Sequence, residues 1–556
     1  MLCDLVDRLH GLADKDQERV WKLIEAWKGG ASDPDIAKVR EKIRVTVLSH
    51  RGRRRAKDED FATLTKTAKA VYTAMEPTDL ANKHEWLFRQ SWVEESADEL
   101  DDDELDFRKR EKRVEQLRVA ALKEVFTEQG MDGIFALVEQ GKAQSQIGWH
   151  LIRSVLGSDE KTKLIVEALQ PRSNDLSAER KNLIFGALRA MTAEDRAAFF
   201  ATVRSLLSEG DMLTLLLLSP FNSGTWAIVD ALSEVGRQGY WQDVNPEWIF
   251  EPEGENNEAV ERMLKAERPR AAFAAVHFKL EAISPTLLYR MLSGIAKDGK
   301  DKSGEYQLQE YDIKTAFSLL DRNADVTLEE KAGLEFAYIE VLSRAFGNET
   351  QHIPNLERYI ETHPEMYVQA LVWAYRRNDG QEDPEKFRTP EGRKDLATRG
   401  YRLLEGIERI PGHDKKGVLK KENLAKWVSE VRKLAAELDR LAVCDICLGK
   451  LFSSAPADAD GNWPCEPVRD VMEELQSEEI SRGAHTGLYN ARGVHWRGEG
   501  GGRERELADK YRKWAEAIQF SHPFVSSTLL MGMVNTYQHE ADREDNEAGI
   551  RRRLRH

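Results

Sequence analysis

Residues 14–29 read DKDQERVWKLIEAWKG, and the spacing of their apolar side chains decides what kind of fold to expect. Val20, Leu23, Ile24 and Trp27 recur at offsets of 3, 4 and 7, which gathers them on one face of a helix; a strand would need alternation. The same period continues outward through DIAKVREKIRVTVLSH (35–50), FATLTKTAKAVYTAM (61–75), HEWLFRQSW (84–92) and EQLRVAALKEVF (115–126). Further helices are expected around Ile134–Val138, Gln146–Leu156, Thr162–Leu169, Ala178–Met191 and Ala193–Leu207, with Thr192 and Asp195 placed as a cap. Later stretches such as PTLLYRMLSGIA (285–296) and EMYVQALVWAYRR (365–377) read the same way, and 417–452 reads as two helices meeting near Asp439. No alternating run is long enough to make a sheet.

The chain has 556 residues, whereas single cores stop growing at roughly 250 to 300. Connectors of only a few residues make successive helices antiparallel neighbours. Helix pairs recurring at roughly 30 to 45 residues are the period of stacked two-helix units. The expected fold is therefore all-α, an irregular α-solenoid of HEAT-like helix pairs. Interruptions divide it into 1–92, 93–238, an irregular boundary at 239–257, 258–440 and a C-terminal segment 441–556.

Charged residues make up 32% and apolar ones 41% of the chain, so it is polar but able to fold. A net charge of −15 argues against nucleic-acid binding over the whole surface and leaves only local basic patches for phosphate. The longest apolar run, Met212–Leu218, falls far short of the roughly 20 residues of a membrane span. The N-terminus lacks the pattern of a secretory signal, and four cysteines fit a reducing cytoplasm. Residues 94–106 carry nine acidic side chains of thirteen and read as a solvated loop or frayed end before the basic run 108–113.

One stretch stands apart: SRGAHTGLYNARGVHWRGEGGGRER, residues 481–505, with seven glycines. Each glycine costs a helix about 1 kcal/mol against alanine, so a shaped, non-helical loop is expected. Arg492, Arg497 and Arg503 could hold an anion together with exposed amides, and Trp496 could stack on a ring, with His495 between them. The alternative is structural, with the arginines pairing surplus acid and Trp496 as an apolar anchor. Arg53, Arg54 and Arg55 form a second basic cluster, read as a solvated connector or a phosphate contact.

Cys444 and Cys447 form a CxxC; with Cys465 and His485 they could make a tetrahedral zinc site, zinc being the one candidate cofactor. An offset of three on a helix equally places both thiols on one buried face. DADGNW (458–463) resembles the start of a calcium loop, but its twelfth position is Arg469, so a turn is expected. The common catalytic and phosphate-cradling motifs are missing.

PTDLANKHEWLFRQSWVE (77–94), WPCEPVRDVMEEL (463–475) and YNARGVHWRGEGGGRERELADKYRKWAEAI (489–518) resemble the C-terminal helical regions of large bacterial proteins, including STAND-class antiphage signalling NTPases. In that class an effector and an NTPase precede a helical-repeat sensor that recognises a phage protein. The resemblance implies that this chain is the sensor arm, with an effector or NTPase region missing from it. The leading expectation is thus a noncatalytic, cytoplasmic scaffold binding a protein partner. A nucleic-acid-associated scaffold and an unrecognised enzyme are the alternatives.

Overall fold

Short polar side chains start the helices. Ser32, Asp79, Ser177, Thr192, Ser208, Asn222 and Ser233 each accept the backbone N–H three residues on, filling one of the donors a helix N-terminus leaves open. The computed structural model describes residues 1–49, 58–93, 107–170, 176–246, 253–297, 301, 306–342, 353–492 and 500–554. Regular structure among them is helical, apart from one bridge between His413 and Leu419. Two units divide the chain, Met1–Ile249 and Phe250–His556.

The first unit opens with α1 (Leu2–Arg8), α2 (Asp14–Lys28), α3 (Asp33–Ile43) and α4 (Asp58–Ala74). It continues with α5 (Leu80–Phe88), α6 (Phe107–Gln140), α7 (Gln144–His150), α8 (Ser158–Leu169) and α9 (Ala178–Ala190). It closes with α10 (Ala193–Val203), α11 (Glu209–Leu218), α12 (Ser223–Asp230) and α13 (Glu234–Asp243). Val20, Trp21 and Ile24 of α2 enter a core with Val6, Leu9, Val39 and Ile43. Leu23 does not: it is 55% exposed, while Trp21 is buried. Helix α6 breaks at Gly130, whose φ of +64° only glycine adopts cheaply. Helices then pack on the next but one: α5 on α7, α7 on α9, α9 on α11, and α11 on α13.

The second unit contains α14 (Glu253–Lys265), α15 (Pro269–Val276), α16 (Pro285–Ala296), α17 (Glu310–Asp321), α18 (Leu328–Ala337), α19 (Ile339–Leu342) and α20 (Pro354–Thr362). After them come α21 (Pro364–Ala374), α22 (Asp395–Gly406), α23 (Lys421–Glu437) and α24 (Leu441–Phe452). The last are α25 (Glu466–Leu475), α26 (Glu478–Ala491), α27 (Gly502–Ile518) and α28 (Met531–Leu554). The next-but-one packing recurs as α14 on α16, α16 on α18, α18 on α20, and again as α22 on α24 and α24 on α26. Asp439 separates α23 from α24 with a left-handed φ of +53°.

The surplus acid closes helix starts across the fold. Glu209 accepts from Ser233 N at 2.9 Å, Glu473 from Phe524 N and Val525 N, and Asp301 from Arg270 N at 2.6 Å. Buried arginines close the opposite ends: Arg180 donates to the Glu167 and Gln170 carbonyls, Arg196 to those of Leu188 and Met191. Both arrangements complement the helix dipole and satisfy terminal backbone groups.

The glycine-rich stretch departs from expectation. Ser481 to Ala491 lie inside α26, and Arg503 and Arg505 lie inside α27. Gly483 survives in a helix because α26 crosses α24 there at backbone contact, where a side chain could not fit. A Cβ on Gly483 would stand 2.0 Å from the Ile446 carbonyl oxygen. Close packing thus offsets the propensity cost that argued for a loop.

Candidate functional site

The described residues among those singled out in the sequence lie in separate surroundings. Arg492 lies in a half-buried network of α26, α27 and α28: its guanidinium meets Glu504 at 2.8 Å, stacks over the Tyr537 ring and faces Glu540 at 3.8 Å. Tyr489 donates to the same Glu540. Arg505 pairs with Asp545 at 2.7 Å. Arg492 and Arg505 therefore pair acid. Arg503 sits in the first turn of α27, and His495, Trp496 and Arg497 lie outside the described residues, as do Arg53, Arg54, Arg55 and residues 94–106.

Cys444 and Cys447 are buried in α24, Cys465 is buried at the start of α25, and His485 bonds Thr536 Oγ1 at 2.8 Å. Among the described residues, no group of three or more His, Cys, Asp or Glu is placed to hold a metal ion. Burial lifts the Cys447 thiol to about 11 and the Cys444 thiol well above its ordinary value, so both stay neutral. In the DADGNW turn, Asp458 accepts from Asp460 N and Asn462 N and pairs with Arg469 at 2.5 Å. The residue that excludes a calcium loop is the one that neutralises its first carboxylate.

A different surface, in the first unit, has the make-up of a binding site. The end of α5 and the residues after it, the first turns of α6, and α7 enclose a cleft of ≈ 570 Å³ lined by Trp92, Arg110, Lys112, Arg118, Trp149 and His150, among others. A second cleft of ≈ 410 Å³, floored by Arg44, Trp86 and Arg89, shares Trp92, Val93 and Arg110 with the first. Two π-helical stretches flank this region, Arg44–Leu48 and Leu151–Val155, a backbone irregularity found often at functional sites.

Arg118 fixes the floor. Buried at 6% exposure, it donates from Nε to Leu87 O at 2.9 Å and from Nη2 to Gln90 O and Ser91 O, closing the carbonyl end of α5. Burial lowers its pKa to about 10, which leaves it charged. His150 beside it is held below its ordinary value, first by burial and then by the Arg118 charge, so it is neutral near pH 7. The rim is built from arginine–tryptophan stacks: Arg44 over Trp86 at 4.3 Å, Arg110 over Trp92 at 4.9 Å, and Arg153 over Trp149 at 5.2 Å. Trp92 remains 53% exposed.

Such stacks hold the guanidinium in place by cation–π attraction; Arg44 turns its Nε and Nη2 edge to Glu41, whereas Arg110 Nε has no hydrogen-bond partner. The arrangement suits recognition of an anionic, partly apolar ligand. Sequence reading missed it because the lining residues come from four separated stretches between Glu41 and His150. The available signal was the pair of tryptophans in HEWLFRQSW followed by the basic run 108–113.

No described helix is long and apolar enough to cross a membrane. No family model, curated protein or solved structure matches the chain.

Proposed function

We propose that the chain is a noncatalytic cytoplasmic scaffold, an irregular α-solenoid that binds a protein partner through the arginine–tryptophan cleft of its first unit. Its setting in this reading is the sensor region of a bacterial antiphage or signalling assembly, in keeping with the resemblance carried by residues 77–94 and 463–518. The repeated packing of each helix on the next but one supports the solenoid, since that is how stacked helix pairs make contact. The observation that carries the binding role is Arg110 stacked on a half-exposed Trp92 at the mouth of an open cleft. Tryptophan and arginine are the side chains most enriched at binding hot spots.

The test is affinity capture with the full chain from phage-infected and uninfected bacterial cells, alongside Trp92→Ala. One protein retained by the wild-type chain and lost with Trp92→Ala supports the reading. Recovery of nucleic acid alone overturns it and favours the second reading, a nucleic-acid-associated scaffold, for which the same stacks could hold bases.

A further inference from the structure

Two side-chain atoms in the cleft ask for a partner of opposite kinds. Arg110 Nε and Gln146 Oε1 are both shielded from solvent, and neither has a hydrogen-bond partner. Leaving a shielded donor or acceptor unmatched is costly, more so when the group is charged, so these atoms mark where a ligand gains most. The orientation of Gln146 is fixed by its amide, which donates from Nε2 to the Ser91 carbonyl at 3.3 Å and so turns Oε1 to its unmatched position. Both residues line the same ≈ 570 Å³ cleft, whose walls include Trp92 and Trp149.

We infer that this cleft takes an acidic peptide segment of a protein partner, with Arg110 holding a side-chain carboxylate and Gln146 Oε1 accepting a backbone N–H. The inference rests on the scaffold reading and names its ligand. A donor cation and a neutral acceptor in one cleft match a peptide, which carries carboxylates and amide N–H groups a residue apart. A phosphodiester backbone offers acceptors only; it would satisfy Arg110 and leave Gln146 Oε1 unmatched. The tryptophan walls add apolar area beside the charge, and the cleft volume falls within the roughly 300–1,000 Å³ of ligand sites. Among the charged residues lining the cleft, Arg108, Arg110, Lys112 and Arg118 outnumber Glu111 and Glu115, and this balance sets the preference for acid.

The experiment is fluorescence anisotropy of the full chain with a labelled octapeptide of alternating glutamate and leucine, an alternating lysine–leucine octapeptide, and an octathymidylate. The glutamate peptide is expected to bind saturably and the lysine peptide not at all. Arg110→Gln should weaken glutamate-peptide binding by at least about tenfold, and Gln146→Leu by several-fold. Arg482→Ala, at an exposed position of α26, should change it by less than about twofold. Arg110→Lys keeps the charge without the planar fork and should fall between, which guards against misreading a folding defect. No saturable peptide binding, binding indifferent to Arg110→Gln, or octathymidylate binding more tightly than the peptide overturns the assignment. A partner protein still captured by an Arg110→Gln chain would remove the cleft from the account and leave the scaffold reading standing.

Discussion

Gly449 of α24 and Gly483 of α26 lie back to back, each against the carbonyl three residues before the other. A Cβ on Gly449 would come 2.0 Å from Ile480 O, and one on Gly483 would come 2.0 Å from Ile446 O. The first unit repeats the relationship: Gly148 of α7 faces Leu183 O and Gly186 of α9 faces Ser145 O. In both units, two helices separated by one intervening helix meet at backbone contact. Gly483→Ala must push α26 off α24, and overpacking of this kind costs about 3 kcal/mol, a fall of about 5 °C in the midpoint of the second unit. Gly333, an exposed position of α18 with nothing near it, is the control: Gly333→Ala should stabilise by roughly 0.5–1 kcal/mol. Thermal melts followed by circular dichroism decide, and equal behaviour of the two variants would contradict the crossing.

Glu335 makes stability depend on pH. It is 1% exposed and accepts from Asn355 N, Asn355 Nδ2 and Leu356 N at the start of α20, with Asp321 close to Asn355. Burial raises its pKa from 4.5 to about 7, outweighing those donors, which favour the charged form. Because the folded chain holds this proton more tightly than the unfolded chain, the contribution is full below pH 4.5 and is lost as pH rises to about 7. The loss is on the order of 3 kcal/mol. Urea midpoints between pH 5 and 8 should fall more steeply for the wild-type chain than for Glu335→Gln; parallel curves would refute the role.

The cysteines give a chemical readout. Burial raises the pKa of Cys444, Cys447 and Cys465, whereas Cys3 is only half-buried. At pH 7.5 a thiol reagent should label Cys3 first and reach the other three on unfolding. A chelator should leave the thermal midpoint unchanged. Immediate labelling of all four thiols, or a midpoint lowered by chelation, would restore the zinc site.

Much of the fold was legible because local chemistry agrees with the global packing. The 3.6-residue period of Val20, Ile24 and Trp27, the Thr192 cap and the break at Asp439 each follow from nearest-neighbour constraints. Gly483 and Gly487 were misread for the opposite reason: their cost is local, but their compensation is a contact with α24, more than thirty residues away in sequence. The cleft was hidden in the same way. Arg118 lies within EQLRVAALKEVF, and its partners, the carbonyls of Leu87, Gln90 and Ser91, belong to the end of another helix and the residues after it, which spacing within one helix does not reveal. Arg492 was visible as a conspicuous cation, yet its acids, Glu504 and Glu540, could not be chosen from among 97 carboxylates by spacing.

The most direct measurement is photo-crosslinking in phage-infected bacterial cells, with Trp92 replaced by p-benzoylphenylalanine and Phe520, 94% exposed in the second unit, replaced in the same way as a control. A single protein adduct at position 92, absent at position 520 and reduced by Arg110→Gln, is the expected result. Adducts to nucleic acid alone at position 92, or the same adducts at both positions, would contradict a partner-binding cleft.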